Sequence, residues 1–186
     1  MSKGHPVIAV LVGSLRKGSF NKQLAHALEK IAGDRAGFRH IRIDDLPLYN
    51  QDFDGDYPKV CEDRKQEIRS CDGVLFVTPE YNRSVPGVLK NAIDVCSRPY
   101  GTNAFDGKPG AVIGTSAGAM STALAQQHLR NICVFLDIPM LQQPEAFVRY
   151  TEGLFGRDGS VTDDSARRFL GNFVDKYLEW VKRFSA

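Results

Sequence analysis

No Cys-x-x-Cys pair occurs in this chain, and none of its four cysteines stands beside a histidine at the spacing of a zinc site. That excludes the sequence signatures of zinc ribbons and thioredoxin-type redox motifs. It leaves Cys61, Cys71, Cys96 and Cys133 as four reduced thiols, which suits a cytoplasmic protein. Long apolar runs are missing too: none approaches the ~18 residues of a membrane span. The opening "MSKGHPVIAVLVGS" has an apolar stretch too short for a secretory signal and no small-residue cleavage site. Charge of one sign is not in excess. With 24 basic and 22 acidic residues the formal net charge is +2, so there is no bulk electrostatic case for a nucleic-acid or membrane partner. There is no internal repeat, low-complexity tract or linker, and residues 1–186 are read as one domain.

What is present is alternation. "VIAVLV" (Val7–Val12) is apolar throughout, as a parallel strand covered on both faces should be. Leu24, Ala25, Leu28, Ile31 and Ala32 then fall at helical spacing, with Gly33 as the stop. "FRHIRID" (Phe38–Asp44) alternates as a second strand, and a helix is expected over Lys59–Ser70. "GVLFVT" (Gly73–Thr78) and "GAVIGTS" (Gly110–Ser116) read as two more buried strands. Between them Val85, Val88, Leu89, Ala92, Ile93 and Cys96 mark a helix. Another helix should run from about Met120 to Leu136, and a short fifth strand should lie within Pro139–Val148. A last helix carries an apolar stripe from Phe169 to Phe184, which is core packing. Five such alternations argue an α/β fold with a parallel sheet and helices on both faces. Two doubly wound strand orders are common, the dinucleotide-binding one and the flavodoxin-like 2-1-3-4-5.

In the second order, the first and third strands are neighbours whose chains leave toward opposite faces, opening a crevice at their carboxyl ends. The loops bordering that crevice are "GSLRKGSFN" (Gly13–Asn21) and "TPEYNRSVPG" (Thr78–Gly87), the two least generic loops in the chain. The first runs into a helix N-terminus, where free N–H groups and the positive end of the dipole favour an anion. Ser14 and Ser19 add hydroxyls, Arg16 a guanidinium fork and Asn21 an amide, while Gly13 and Gly18 permit close backbone approach. The group reads as a cup for one phosphate. The helix dipole is worth at most ~2 kcal/mol and each charge-assisted hydrogen bond ~1.5–3 kcal/mol, so Arg16 and the hydroxyls should dominate. An ordinary capped helix start would explain Ser19 alone.

Two look-alikes compete. Gly13, Gly18 and Ser19 nearly spell a P-loop, but the lysine that must separate the second glycine from the hydroxyl is missing, as is any G-x-G-x-x-G. "GTSAG" (Gly114–Gly118) matches the nucleophile elbow of serine hydrolases. That chemistry needs an acid and then a histidine later in the chain. The histidines are His5, His26, His40 and His128, and none follows Asp137.

"GSLRKGSFN" together with "TPEYNRSVPGVLKNAID", and more loosely "HLRNICVFLDIPM" and "QQPEAF", resembles the NADPH-dependent FMN reductase family, in particular its quinone and chromate reductase branch. The resemblance covers about Val7–Val148. It implies a flavodoxin-like three-layer fold binding FMN, with NADPH or NADH as electron donor and a quinone or an oxidised metal ion such as chromate as acceptor. It implies that Ser14, Arg16, Ser19, Phe20 and Asn21 hold the phosphate, that Pro79, Glu80, Tyr81 and Asn82 line the isoalloxazine ring, and that Ser116 and Gly118 lie near its pyrimidine edge. Hydride would pass through flavin N5 in a two-step exchange, with no side chain acting as acid or base and no metal. A homodimer or homotetramer is implied. Arg83 would then either attract anionic substrates or pair with Glu145 across a subunit contact. An electron carrier of the flavodoxin type is the alternative from another class. Such carriers are strongly acidic, and a net charge of +2 speaks against one.

Overall fold

The computed structural model describes residues 4–184. Five parallel strands, β1 (Val7–Val12), β2 (Gly37–His40), β3 (Gly73–Val77), β4 (Gly110–Ser116) and β5 (Phe147–Arg149), form one sheet in the order β2-β1-β3-β4-β5. Between and after them run α1 (Phe20–Ala32), α2 (Lys59–Arg69), α3 (Gly87–Ser97), α4 (Ala123–Phe135) and α5 (Asp164–Lys182). This is the flavodoxin-like order. The topology reverses between β1 and β3, which pair from Ile8–Gly73 to Val12–Val77.

The sheet separates two apolar cores because side chains alternate along each strand. Ile8, Val10, Leu75, Val77 and Ile113 face α1 and α5, where they meet Leu24, Leu28, Phe173 and Tyr177. Ala9, Leu11, Val74, Phe76 and Val112 face α2, α3 and α4, against Ile68, Leu89, Ile93 and Leu129. Strands buried on both faces explain why the sequence shows apolar runs there instead of alternation.

Element boundaries differ from the sequence expectation where loops intervene. β2 ends at His40, four residues before Asp44. Its last ladder bond is Ile41 N–H to Val10 O, and Arg42 turns to pair with Asp44 at 2.8 Å. Ile41 and Ile43 stay buried without remaining in the strand. α4 begins at Ala123, not Met120, because Ser121 has φ of 50° and cannot continue a helix. α5 begins five residues before Phe169, where Asp163 caps it by accepting from Ala166 N–H at 2.7 Å. Phe184 lies beyond its end. β5 occupies Phe147–Arg149, reaching one residue past the expected window.

Candidate functional site

The carboxyl ends of β1, β3 and β4 converge because three long-range contacts fasten their loops. Gly13 N–H donates to Val77 O at 2.9 Å, holding the exit of β1 against β3. A Cβ on Gly13 would stand 3.1 Å from both Leu89 Cδ2 and Thr78 Oγ1, so this position has almost no room for a side chain. At Gly114 the approach is closer: a Cβ would stand 2.1 Å from Thr78 O and 2.5 Å from Thr122 Oγ1. The third contact is Asn21, whose amide clasps the main chain of Thr115. Nδ2–H donates to Thr115 O at 2.9 Å and Thr115 N–H donates to Oδ1 at 3.0 Å.

That clasp corrects the expectation for Asn21. Its amide is buried and engaged with β4, so it positions the start of α1 and is not the outward-facing donor the loop suggested. The other cup residues remain available. Ser19 caps α1 by accepting from Lys22 N–H at 3.2 Å. This uses a lone pair and leaves its hydroxyl proton to donate. The Ser14 hydroxyl and the N–H groups of Phe20 and Asn21 have no protein partner among the described residues. The first turn of α1 holds no acidic residue to neutralise the dipole. Arg16 folds over the cup: Nη2 donates to Gly18 O, and its Cζ lies 4.4 Å above the Phe20 ring. Phe20 in turn stacks on Tyr150, with centroids 3.5 Å apart and planes 14° from parallel. Sequence reasoning missed Tyr150. Its only signal is an aromatic at the carboxyl end of β5, a strand too short to place from periodicity.

Glu80 also departs from expectation. Its Oε2 accepts from the N–H groups of Leu124 and Ala125 at 2.9 and 3.0 Å. The carboxylate therefore caps α4, whose own N-cap residue Thr122 makes no side-chain capping bond. A carboxylate at a helix N-terminus is favoured by the dipole, and here it ties the loop after β3 to the helix after β4. Beyond it, Tyr81 and Ser84 exchange two backbone hydrogen bonds of 3.1 and 2.9 Å around Asn82 and Arg83. Those two residues have φ of 51° and 60°, giving a two-residue hairpin turn that lifts Tyr81 half into solvent. Asparagine tolerates this conformation, whereas arginine is an uncommon choice for it. Pro79 precedes the turn, its carbonyl accepting from Thr78 Oγ1 at 2.7 Å.

Ser116 ends β4, and its Oγ accepts from Gly118 N–H at 3.3 Å. No histidine is bonded to it among the described residues. His26 and His40 face Glu29, and His128 Nδ1 lies 2.9 Å from Ser84 Oγ. Among the described residues acyl transfer by Ser116 therefore has no histidine as general base, which speaks against the hydrolase alternative. Arg83 and Glu145 are exposed and form no ion pair with each other within the chain. A cavity of about 1050 Å³ beside His5, Arg35, Asp72 and Asp175 lies at the opposite, amino-terminal ends of the strands.

The arrangement fits a phosphate monoester carrying a flat ring. Unpaired N–H groups and two hydroxyls form the anion cup. The loops Pro79–Asn82 and Ser116–Gly118 follow β3 and β4 at the same carboxyl ends of the sheet, where this topology forms its ligand crevice at the switch point between β1 and β3.

The family model described as NADPH-dependent FMN reductase matches residues 6–152. A 2-hydroxy-1,4-benzoquinone reductase of a Burkholderia species is 53% identical over 175 residues, covering 94% of this chain and 96% of that protein. A quinone reductase of Pseudomonas putida is 49% identical over 176 residues, 94% of each chain. The solved structure of FerB, a flavoenzyme NAD(P)H:(acceptor) oxidoreductase from Paracoccus denitrificans, superimposes with a TM-score of 0.93 at 45% identity. It covers 96% of this chain and 98% of that one.

Proposed function

The chain belongs to the NADPH-dependent FMN reductase family, and from that premise we propose that it is an FMN-dependent NAD(P)H:quinone oxidoreductase. The observation that carries the proposal is the start of α1, which is free of acids, has unpaired N–H groups, and is flanked by the unpaired Ser14 hydroxyl and the Arg16 guanidinium. Relatives named as quinone reductases at about half identity support the acceptor class. When bound, FMN would supply the redox chemistry, taking a hydride from NADH or NADPH and passing it, with a proton from solvent, to a quinone that leaves as hydroquinone.

The chain's own residues bind and orient. Ser14, Ser19, Arg16 and the N–H groups of Phe20 and Asn21 hold the phosphate, and Asn21 keeps the cup in register with β4. Pro79, Tyr81 and Asn82 lie along the ring, with Glu80 fixing their loop on α4. The main chain of Ser116–Gly118 would face the pyrimidine edge, where the Ala117 N–H would favour the negative charge that collects on reduction, the Gly118 N–H being held by Ser116 Oγ. One cup and one crevice mean that nucleotide and acceptor take turns. Chromate and other oxidised metal ions are accepted at the same mouth. The assembly is a homodimer or homotetramer, with Arg83 and Glu145 paired across a contact.

Initial rates with NADPH and 1,4-benzoquinone test this reading. Parallel double-reciprocal lines are expected, with released flavin that is FMN and not FAD. Intersecting lines, or no turnover by the FMN-loaded protein, would contradict it. Arg83→Ala should sediment as a smaller species, and Glu145→Ala should do the same. Unchanged sedimentation of both removes the proposed contact.

A further inference from the structure

We propose that His26, Glu29 and His40 form a binding site for a zinc-like divalent transition-metal ion, on the α1 face of the sheet's edge strand. The three side chains come from two elements. His26 and Glu29 stand at i and i+3 on α1, so they share a face. His40 is the last residue of β2 and pairs with Val10 of β1. Strand alternation decides which way it points. Arg39 goes to the α2 side, where its Nη1 donates to Ser70 Oγ and Glu67 O. His40 goes to the other side, onto α1.

Their ligand atoms converge. Glu29 Oε2 lies 3.1 Å from His40 Nε2 and 3.5 Å from His26 Nδ1. All three ligand atoms lie within 4.8 Å of one another. Tetrahedral zinc with bonds of about 2.0–2.1 Å sets its ligand atoms about 3.3 Å apart, so two of the three edges already bracket the required length. Closing the third needs only a small rotation of exposed imidazoles, whose ring centroids are 4.9 Å apart. His26 and Glu29 side chains are 61% and 43% exposed, so an ion can enter and a water can complete the coordination.

The donor set selects the ion class. Two imidazoles and one carboxylate suit zinc and its neighbours, whereas magnesium and calcium prefer all-oxygen shells. Without an ion, one carboxylate oxygen serves two imidazoles in water, an arrangement that is worth little. With an ion, the same atoms would pin the sheet's edge strand to the helix whose other end carries the anion cup. The site is separate from that cup and does not depend on the flavin assignment.

The test is titration of the untagged, FMN-loaded protein with zinc alone, read by calorimetry and by thermal melting, with magnesium as control. One zinc per chain is expected, with a raised melting temperature and no response to magnesium. His26→Ala and His40→Ala should each weaken zinc binding at least tenfold, and Glu29→Gln should weaken it less. The double variant His5→Ala/His128→Ala, which removes the other imidazoles, should keep the site. Equal zinc binding by the wild type and by His26→Ala/His40→Ala, or no zinc binding by a folded wild type, would overturn the proposal. Melting of each variant without zinc establishes that it folds, so loss of binding is not confused with loss of structure.

Discussion

Asn21 and Arg16 stand five residues apart, Arg16 in the loop after β1 and Asn21 in the first turn of α1, and do opposite work. Asn21 is buried and joins two elements through Thr115, 94 residues away. Removing its amide leaves a buried N–H and a buried C=O without partners. Asn21→Ala should therefore destabilise the fold by about 2–4 kcal/mol, read as a lower urea midpoint in the apoprotein. Arg16 is exposed, and among the described residues its guanidinium interacts with Gly18 O and the Phe20 face. Arg16→Ala should leave that midpoint within about 0.5 kcal/mol and weaken FMN binding about tenfold to a hundredfold, the loss of one charge-assisted hydrogen bond. Equal FMN affinity in both proteins would show that Arg16 does not hold the phosphate. The sequence alone made these two residues look alike. Both are polar and both stand in "GSLRKGSFN", and only the partner across the sheet separates them.

At the scale of elements, the strands and helices were legible because their apolar periods are strong. Three strands lie on the runs "VIAVLV", "GVLFVT" and "GAVIGTS", whereas β2 keeps only Phe38–His40 of its expected segment and β5 overlaps its window only at Phe147 and Val148. The boundaries that shifted did so at residues whose local geometry is set by distant partners. Ser121 turns to donate to Val148 O at 2.7 Å, delaying α4. Glu80, 44 and 45 residues before its partners Leu124 and Ala125, caps that helix. Nothing in the local pattern "TPEYN" reveals a helix cap, just as nothing in "VRY" reveals the Tyr150–Phe20 stack. "GTSAG" illustrates the converse. Its first glycine fits a hydrolase motif by pattern, yet the structure requires glycine there because Thr78 O and Thr122 leave no space. Gly114→Ala should cost about 3 kcal/mol, since the obstructing atom is backbone and cannot swing away. Thermal melting of that variant checks it, and an unchanged midpoint would mean that the loops after β3 and β4 are not held as described.

For the whole molecule, the two cores carry thiols and a phenol that water does not reach. Burial pushes the Cys96 and Cys133 thiols up to about 12 from 9.0, and raises Tyr177 well above 10.0. A group whose ionisation is raised on folding contributes stability that is complete below its unfolded value and is lost as pH climbs toward the folded one. Stability should thus hold to about pH 9 and then fall by about 1.4 kcal/mol per pH unit for each buried thiol. Urea midpoints at pH 8, 9, 10 and 11 measure this, and a flat profile would place those thiols in contact with solvent. The central claim concerns the opposite end of the molecule, where the loops after β1, β3 and β4 meet around one anion cup. It is tested most directly by the visible absorption of the FMN-loaded protein during anaerobic addition of NADPH and then 1,4-benzoquinone. Bleaching of the flavin band by one equivalent of NADPH, and its full return with one equivalent of quinone, is the predicted result. A protein that retains no flavin once excess FMN has been removed, or a bound flavin that NADPH does not bleach, would contradict it.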